Sequence, residues 1–324
     1  VTVLPNALTI RPITGPEELD LFNRLPYTLN DELANDLAEG RRRPSWMWVA
    51  LDGDRLLARM SWWCRTQDDT PFLLDLFDVD DDARDVDLTA VAEELLRTAN
   101  TSLFPGGEPV ALGDTPPPEF LRFDVADWRG DETSRRRVKT RLRVIEGSGA
   151  VPLVERLRYE WRADSPLPRD SGRLSFRGIE GEEDILGLMT RALEGTLDAH
   201  DRLDLQKSSA AEVAAANFAD EFANYTTPRE WWRVATLPDG APVGFVIPAR
   251  NAYHPIISYV AVLPEHRGKG YIDDLLAEGT RVLRDAGATY ARAATDLGNV
   301  PMAEAFTRSG YDAISGVVSY TWST

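Results

Sequence analysis

The spacing of apolar residues changes repeatedly along the chain, and each change marks an element. Leu8-Thr9-Ile10-Arg11 alternates apolar with polar positions, the period of a strand with one buried face, and Glu17-Glu18 behind it suits a helix N-terminus. Leu174-Ser175-Phe176-Arg177 repeats the alternation, followed by Glu182, Glu183 and Asp184. The β-rich runs Trp46 to Leu51 and Leu56 to Trp63 flank Asp52-Gly53, which predicts a hairpin; Trp231 to Leu237 and Val243 to Ile247 flank Asp239-Gly240 in the same way. The second half continues with helices over Glu182 to Leu193 and Ala210 to Phe222, a strand at Ile256 to Val262 and a helix from Tyr271 to Ala286. A strand near Tyr290 to Thr295, a helix from Pro301 to Arg308 and a closing strand at Val317 to Trp322 complete the pattern. The order predicts an α/β (α+β) fold with a mixed, largely antiparallel sheet flanked by helices.

The two halves repeat one another. Besides the paired strand starts and hairpins, Ser148-Gly149 to Tyr159-Glu160-Trp161 aligns without a gap onto Ser309-Gly310 to Tyr320-Thr321-Trp322. Three pairs of segments in the same order imply a duplication. The length of 324 residues, at roughly 150 per domain, agrees, and two similar domains are expected at 1–165 and 172–324. Between them, Ala163 to Gly172 is rich in residues that interrupt regular structure, and its two prolines predict a semi-extended linker.

Composition narrows the function classes. A formal charge of −17 opposes a nucleic-acid partner, whose phosphates need clustered lysines and arginines, and opposes anionic membranes. It suits a monomer or homodimer and mildly favours a cationic substrate. Cys64 is the only cysteine, so neither an internal disulfide nor a cysteine zinc site is expected, and no metal is called for. No run of about 18 apolar residues occurs, and Val1-Thr2-Val3-Leu4-Pro5 lacks the basic flank of a signal peptide, so a cytoplasmic location is expected. Asp78 to Asp82 lacks the glycine and glutamate of a calcium loop, at Ala83 and Thr89. Arg135 to Arg143 reads as a solvated basic helix, and Trp46, Trp48, Trp62, Trp63, Trp231 and Trp232 as packing residues.

The chemistry gathers in one segment. The apolar strand Ile256 to Val262 runs into a turn, Arg267-Gly268-Lys269-Gly270, and a helix starts at Tyr271-Ile272. Backbone amides of such a turn converge with those of the helix N-terminus, and glycines permit close approach, so the segment predicts an anion site for a phosphate-bearing ligand.

Arg267-Gly268-Lys269-Gly270-Tyr271-Ile272 resembles the Arg/Gln-x-x-Gly-x-Gly/Ala signature of the GNAT N-acetyltransferase superfamily, departing at Ile272. Asn299-Val300-Pro301-Met302 through Phe306 to Gly310-Tyr311 resembles the family's next motif. The resemblance spans the second domain and, in outline, the first, and so implies tandem GNAT-like domains. It implies acetyl-CoA, or another acyl-CoA, as cosubstrate, with its pyrophosphate on the amides of Arg267 to Ile272. The pantetheine would run beside Val260, Ala261 and Val262, touching Asn299 and Phe306. A backbone N–H near Val262 would polarise the thioester carbonyl. The family's usual acid tyrosine is replaced by Phe306; Tyr311 is one substitute, and Tyr259 and Tyr271 are others. His254 is the candidate base, since imidazole titrates near neutrality. In the first domain Asp85 and Asp87 stand where Gly268 and Gly270 do, so that domain is expected to lack a cofactor site. The implied function is acyl transfer to an amine of a small molecule or peptide by direct attack. The alternative is a catalytically degenerate acyl-CoA sensor or scaffold.

Overall fold

Aspartates, serines and glycines punctuate the helices where the sequence places them. The computed structural model describes residue 5 and residues 7–66, 68–112, 115–167 and 171–322. Val1 to Leu4, and Pro168, Arg169 and Asp170 of the expected linker, lie outside the described residues. The first half of the chain forms β1 (Leu8–Pro12), α1 (Leu19–Phe22), α2 (Leu33–Ala38), β2 (Met47–Asp52), β3 (Arg55–Trp63), β4 (Leu73–Val79), α3 (Leu88–Leu103), β5 (Glu119–Asp124), α4 (Glu132–Gly147) and β6 (Val151–Arg162). The second half forms β7 (Ser175–Arg177), α5 (Glu182–Ala192), α6 (Ala199–Asp204), α7 (Ala210–Asp220), β8 (Arg233–Thr236), β9 (Pro242–Arg250), β10 (Pro255–Val262), α8 (Tyr271–Asp285), β11 (Tyr290–Asp296), α9 (Val300–Arg308) and β12 (Asp312–Thr321). Asp87, Asp131 and Asp198 accept from the first-turn amides of α3, α4 and α6, and Ser209 and Glu212 close a capping box on α7. Gly149 and Gly310, the glycines of the gapless repeat, end α4 and α9 at φ 92° and 80°, which explains why the Ser-Gly pair recurs.

The chain divides into two compact units. One runs through Val154 and resumes at Val317; the other runs from Glu155 to Gly316. In the first, strands lie in the order β1-β2-β3-β4-β5 with the end of β12 beside β5. The second has β7-β8-β9-β10-β11 with β6 beside β11. The order is the same in both, as duplication requires, and the last strand of each half completes the other unit. Tyr320 and Trp322 pack into the first core, where Trp322 lies 5.7 Å from Trp62. Tyr159 and Trp161 pack into the second. Residues 155–162 and 317–322 are therefore placed opposite to the contiguous division at 165 and 172.

Each sheet is covered on both faces. In the second unit α8 and α9 pack on one face through Leu275, Leu276 and Phe306, and α5 and α7 on the other through Leu188, Met189 and Phe218. The pairs β1/β2, β2/β3, β3/β4, β7/β8, β8/β9, β9/β10 and β6/β11 are antiparallel, whereas β4/β5 and β10/β11 are parallel. No helix among the described residues is long and apolar enough to cross a membrane.

Candidate functional site

A bulge in β10 opens the site. The register of β10 against β9 shifts between Ile257 and Tyr259, leaving Ser258 as an extra residue, and such a bulge bends its strand. The parallel ladder to β11 holds at Ile256↔Arg292, and a cavity of about 840 Å³ occupies the gap beyond it. Val260, Ala261 and Val262 line the cavity along the β10 edge, with Gly268, Gly270, Tyr271 and Ile272 at one end and Asn299, the N-cap of α9, and Phe306 within α9 also lining it. All belong to the second unit.

The turn has the conformation that an anion cradle needs. Gly268 and Gly270 hold φ of 75° and 74°, a region that disfavours any side chain, and Gly270 caps α8 with no side-chain bond to the helix. The first-turn amides thus face the cavity end with no carboxylate of their own capping them. Asp273 and Asp274 in that turn are held by Arg308 and Arg173 at 2.9 and 2.6 Å. Arg173 also donates to the carbonyls of Lys269 and Gly270. The two cations of the turn bond backbone carbonyls. The Arg267 guanidinium donates to the carbonyls of Ala192, Glu194 and Val262, binding the end of α5 to β10. Lys269 donates to the Glu265 carbonyl. Both side chains bond carbonyls of the surrounding loop, and Arg267 also lines the cavity.

The candidate proton carriers are redistributed. Tyr311 is buried in the core behind the cavity, and its hydroxyl shares a 2.6 Å bond with Thr280; burial pushes its pKa up. It is not among the residues that line the cavity. His254 does line the cavity, but Nδ1 faces the Tyr290 hydroxyl at 3.1 Å and Nε2 faces Arg292. Burial, then the charges of Arg292 and Arg158, lower its pKa to about 4, so the ring is neutral and a weak base. Phe306 stacks on Tyr159, centroids 5.0 Å apart, which places that phenol against the position lacking a hydroxyl. Tyr259 packs between Phe222 and Phe245, its pKa raised by burial and then by Asp201 and Asp198.

The short helix α6 brings in a group the sequence did not single out. Asp201 lines the cavity and accepts from Asn217 at 3.1 Å and Thr196 at 3.2 Å; burial, then Asp198, push it up to about 6. Glu221 and Ser258 also line the cavity and bond with Tyr225, whose hydroxyl is 2.7 Å from Ser258. Asp198-Ala199-His200-Asp201 reads as a helix start. Nothing in its spacing says that it meets β10.

The first unit shows how the same opening is closed. The ladder between β4 and β5 covers Leu73↔Glu119 and Leu74↔Phe120, while the strands run on to Val79 and Asp124. Arg122 bonds Asp78 at 2.6 Å, and Arg141 from α4 donates to the Val79 carbonyl at 3.1 Å and to Asp81. Asp87, aligned with Gly270, caps α3 with its carboxylate. An internal anion takes the helix N-terminus and internal guanidinium groups fill the opening.

Among the described residues, no group of three or more His, Cys, Asp or Glu side chains could hold a metal ion. Residues 197–311 match the model of the acetyltransferase (GNAT) family. No curated protein matches the chain. Among solved structures, a GCN5-related N-acetyltransferase from Sphaerobacter thermophilus aligns over 98% of this chain and 96% of that one, at 18% identity and TM-score 0.58. A tandem GNAT protein from the clavulanic acid biosynthesis pathway aligns over 97% and 98%, at 16% identity and TM-score 0.51. A GCN5-related N-acetyltransferase from Kribbella flavida aligns over 90% and 94%, at 13% identity and TM-score 0.50. At these identities the likeness is one of fold.

Proposed function

Proceeding from residues 197–311 as a GNAT-family domain set in a tandem fold, we propose that the chain is an N-acyltransferase, moving an acyl group from acetyl-CoA or another acyl-CoA to an amine of a small molecule or peptide. The observation that carries this reading is the continuous path from the free β10 edge at Val260 to Val262 into the uncapped turn at Gly270 to Ile272. The residues fit a nucleotide thioester: amides and left-handed glycines for its phosphates, and an unpaired strand edge for its amide-bearing arm. When bound, the thioester supplies an activated carbonyl. A backbone N–H of the Val260 to Val262 edge polarises that carbonyl, and Asn299 and Phe306 wall the channel. Asp201, ionised above about pH 6, takes the proton of the acceptor ammonium, a role for which His254 is too weakly basic.

One observation favours the sensor reading instead: the ring at Phe306 has no proton to give a departing sulfur. CoA release in the presence of an amine panel separates the two, since a sensor binds without turnover. Gly270→Asp reproduces the arrangement at Asp87 of the first unit. Calorimetry should show acetyl-CoA affinity falling by about 100-fold or more, about 2.7 kcal/mol. Unchanged affinity would remove the phosphate site from this turn.

A further inference from the structure

The helix side of the cavity is acidic and aromatic. Asp201 of α6, Glu221 and Phe222 just past the end of α7, and Tyr259 of β10 all line it. Asp201 accepts from Asn217 at 3.1 Å and Thr196 at 3.2 Å, and Glu221 accepts from Ser258 at 3.3 Å and from Tyr225. Among the described residues, no basic side chain forms an ion pair with either carboxylate. The sheet side differs: Arg156 is engaged by Asp296 and Asp198, Arg292 by Glu160, and Arg158 also has a partner. Neutral donors orient a carboxylate without cancelling its charge, so the helix side is where the cavity keeps charge for a ligand.

The two carboxylates are spaced by one helical turn. Glu221 donates its N–H to the Asn217 carbonyl at 3.1 Å, which continues the turn of α7, so the side chains of Asn217 and Glu221 leave the same face. With Asp201 bonded to the Asn217 amide, the carboxylates lie within about 10 Å of one another, a turn plus a hydrogen bond. Phe222 follows Glu221 in the chain and stacks on Tyr259, centroids 5.6 Å apart. Asp201 adds to burial in raising the Tyr259 pKa, which puts its carboxylate beside the rings. Aromatic faces attract ammonium groups and pack against methylenes. A carboxylate, an apolar platform and a second carboxylate thus share one wall.

Resting on the acyltransferase reading, we propose that the acceptor is an aliphatic diamine, with one ammonium at Asp201, its methylene chain over Phe222 and Tyr259, and the second ammonium at Glu221. Along β10 the order is Ser258, bonded to Glu221, then Tyr259, near Asp201, then the Val260 to Val262 edge. Asp201 is therefore the end nearer the acyl carbonyl, and Glu221 is the anchor. Asp201 takes one proton of the reacting ammonium. The freed nitrogen forms the N–C bond as the C–S bond breaks, and its next proton goes to the departing sulfur, which gives an amide and CoA thiol. The nitrogen at Glu221 keeps its protons throughout.

Calorimetry on the full chain, with and without CoA, tests this with pairs matched in length: 1,3-diaminopropane against 3-amino-1-propanol, 1,4-diaminobutane against 4-amino-1-butanol, and 1,5-diaminopentane against 5-amino-1-pentanol. At least one diamine should bind about tenfold tighter than its amino alcohol, the order of one charge-assisted bond. This comparison within the unmodified chain needs no variant. Glu221→Gln should abolish the difference and Glu221→Asp should keep part of it, with acetyl-CoA binding as the check that each variant is folded. Equal binding within every pair, binding of none of these amines, or a preference that survives Glu221→Gln overturns the proposal. Failure of acetyl-CoA to bind the unmodified chain overturns the acyltransferase reading instead, and the paired comparison without CoA then decides the diamine wall on its own.

Discussion

Asp201 and His254 face the same cavity, and burial shifts them in opposite directions. Burial favours the neutral form of each, so the carboxyl rises to about 6 and the imidazole falls to about 4. The group that resembles a base by its ordinary pKa is thereby disabled, and the one that does not is brought into range. For Asp201 the folded state holds its proton between about pH 4 and 6 while the unfolded chain has released it, so its contribution to stability declines as pH rises across that window. Activity runs the other way, since a base must be ionised: kcat/KM should climb through about pH 6. Asp201→Asn should flatten that limb and lower kcat by about 10²-fold or more. A profile that keeps its limb near 6 in the variant would assign the base elsewhere. Sequence could name Tyr311 and His254 as titratable groups near the right motifs. It could not tell that one hydroxyl points at Thr280, or that Arg158 and Arg292 surround the imidazole.

At the scale of elements, period and punctuation carried most of the information. The helix expected from Tyr271 to Ala286 is Tyr271–Asp285, and the strand expected at Ile256 to Val262 is Pro255–Val262. The hairpins turn at Asp52-Gly53 and Asp239-Gly240. What escaped is short or aperiodic: α6 has six residues, too few to show an apolar face, and a bulge leaves no mark on composition. The opening between parallel strands, occupied by a cavity in one unit, is filled by Arg122 and Arg141 in the other. Burial pulls the Asp78 carboxyl upward, but Arg122, Arg59 and Arg141 outweigh it and hold it below its ordinary range. Arg141→Met should strand the Val79 carbonyl and cost about 2–4 kcal/mol in denaturant unfolding. Acetyl-CoA should still bind one site per chain, because Asp87 continues to cap α3. A second molecule bound to the variant would show that the guanidinium alone had closed the groove.

On the scale of the molecule, the repeat was legible as three pairs of segments, and the exchange of last strands was not. Tyr159 and Trp161 match Tyr320 and Trp322 in identity and spacing, so pattern alone leaves either pair free to join either core. Their placement means that a protease site inserted between Ser165 and Gly172 should, after cleavage, leave two fragments that co-elute on size exclusion and separate only in denaturant. Independent elution of the fragments under native conditions would contradict the exchange.

That exchange also bears on how the chain could change over time. In the half with Asp87 and Arg141, a carboxylate caps the helix start and a guanidinium bonds the Val79 carbonyl, where the other half has Gly270 and an open strand edge. Yet the first half supplies Tyr159 and Trp161 to the sheet that carries the cavity, and takes Tyr320 and Trp322 in return. Deleting the first half would strip the unit with the cavity of its β6 strand and so unfold it. Descent can therefore alter the helix-capping turn of the first unit, but it cannot shed the unit itself.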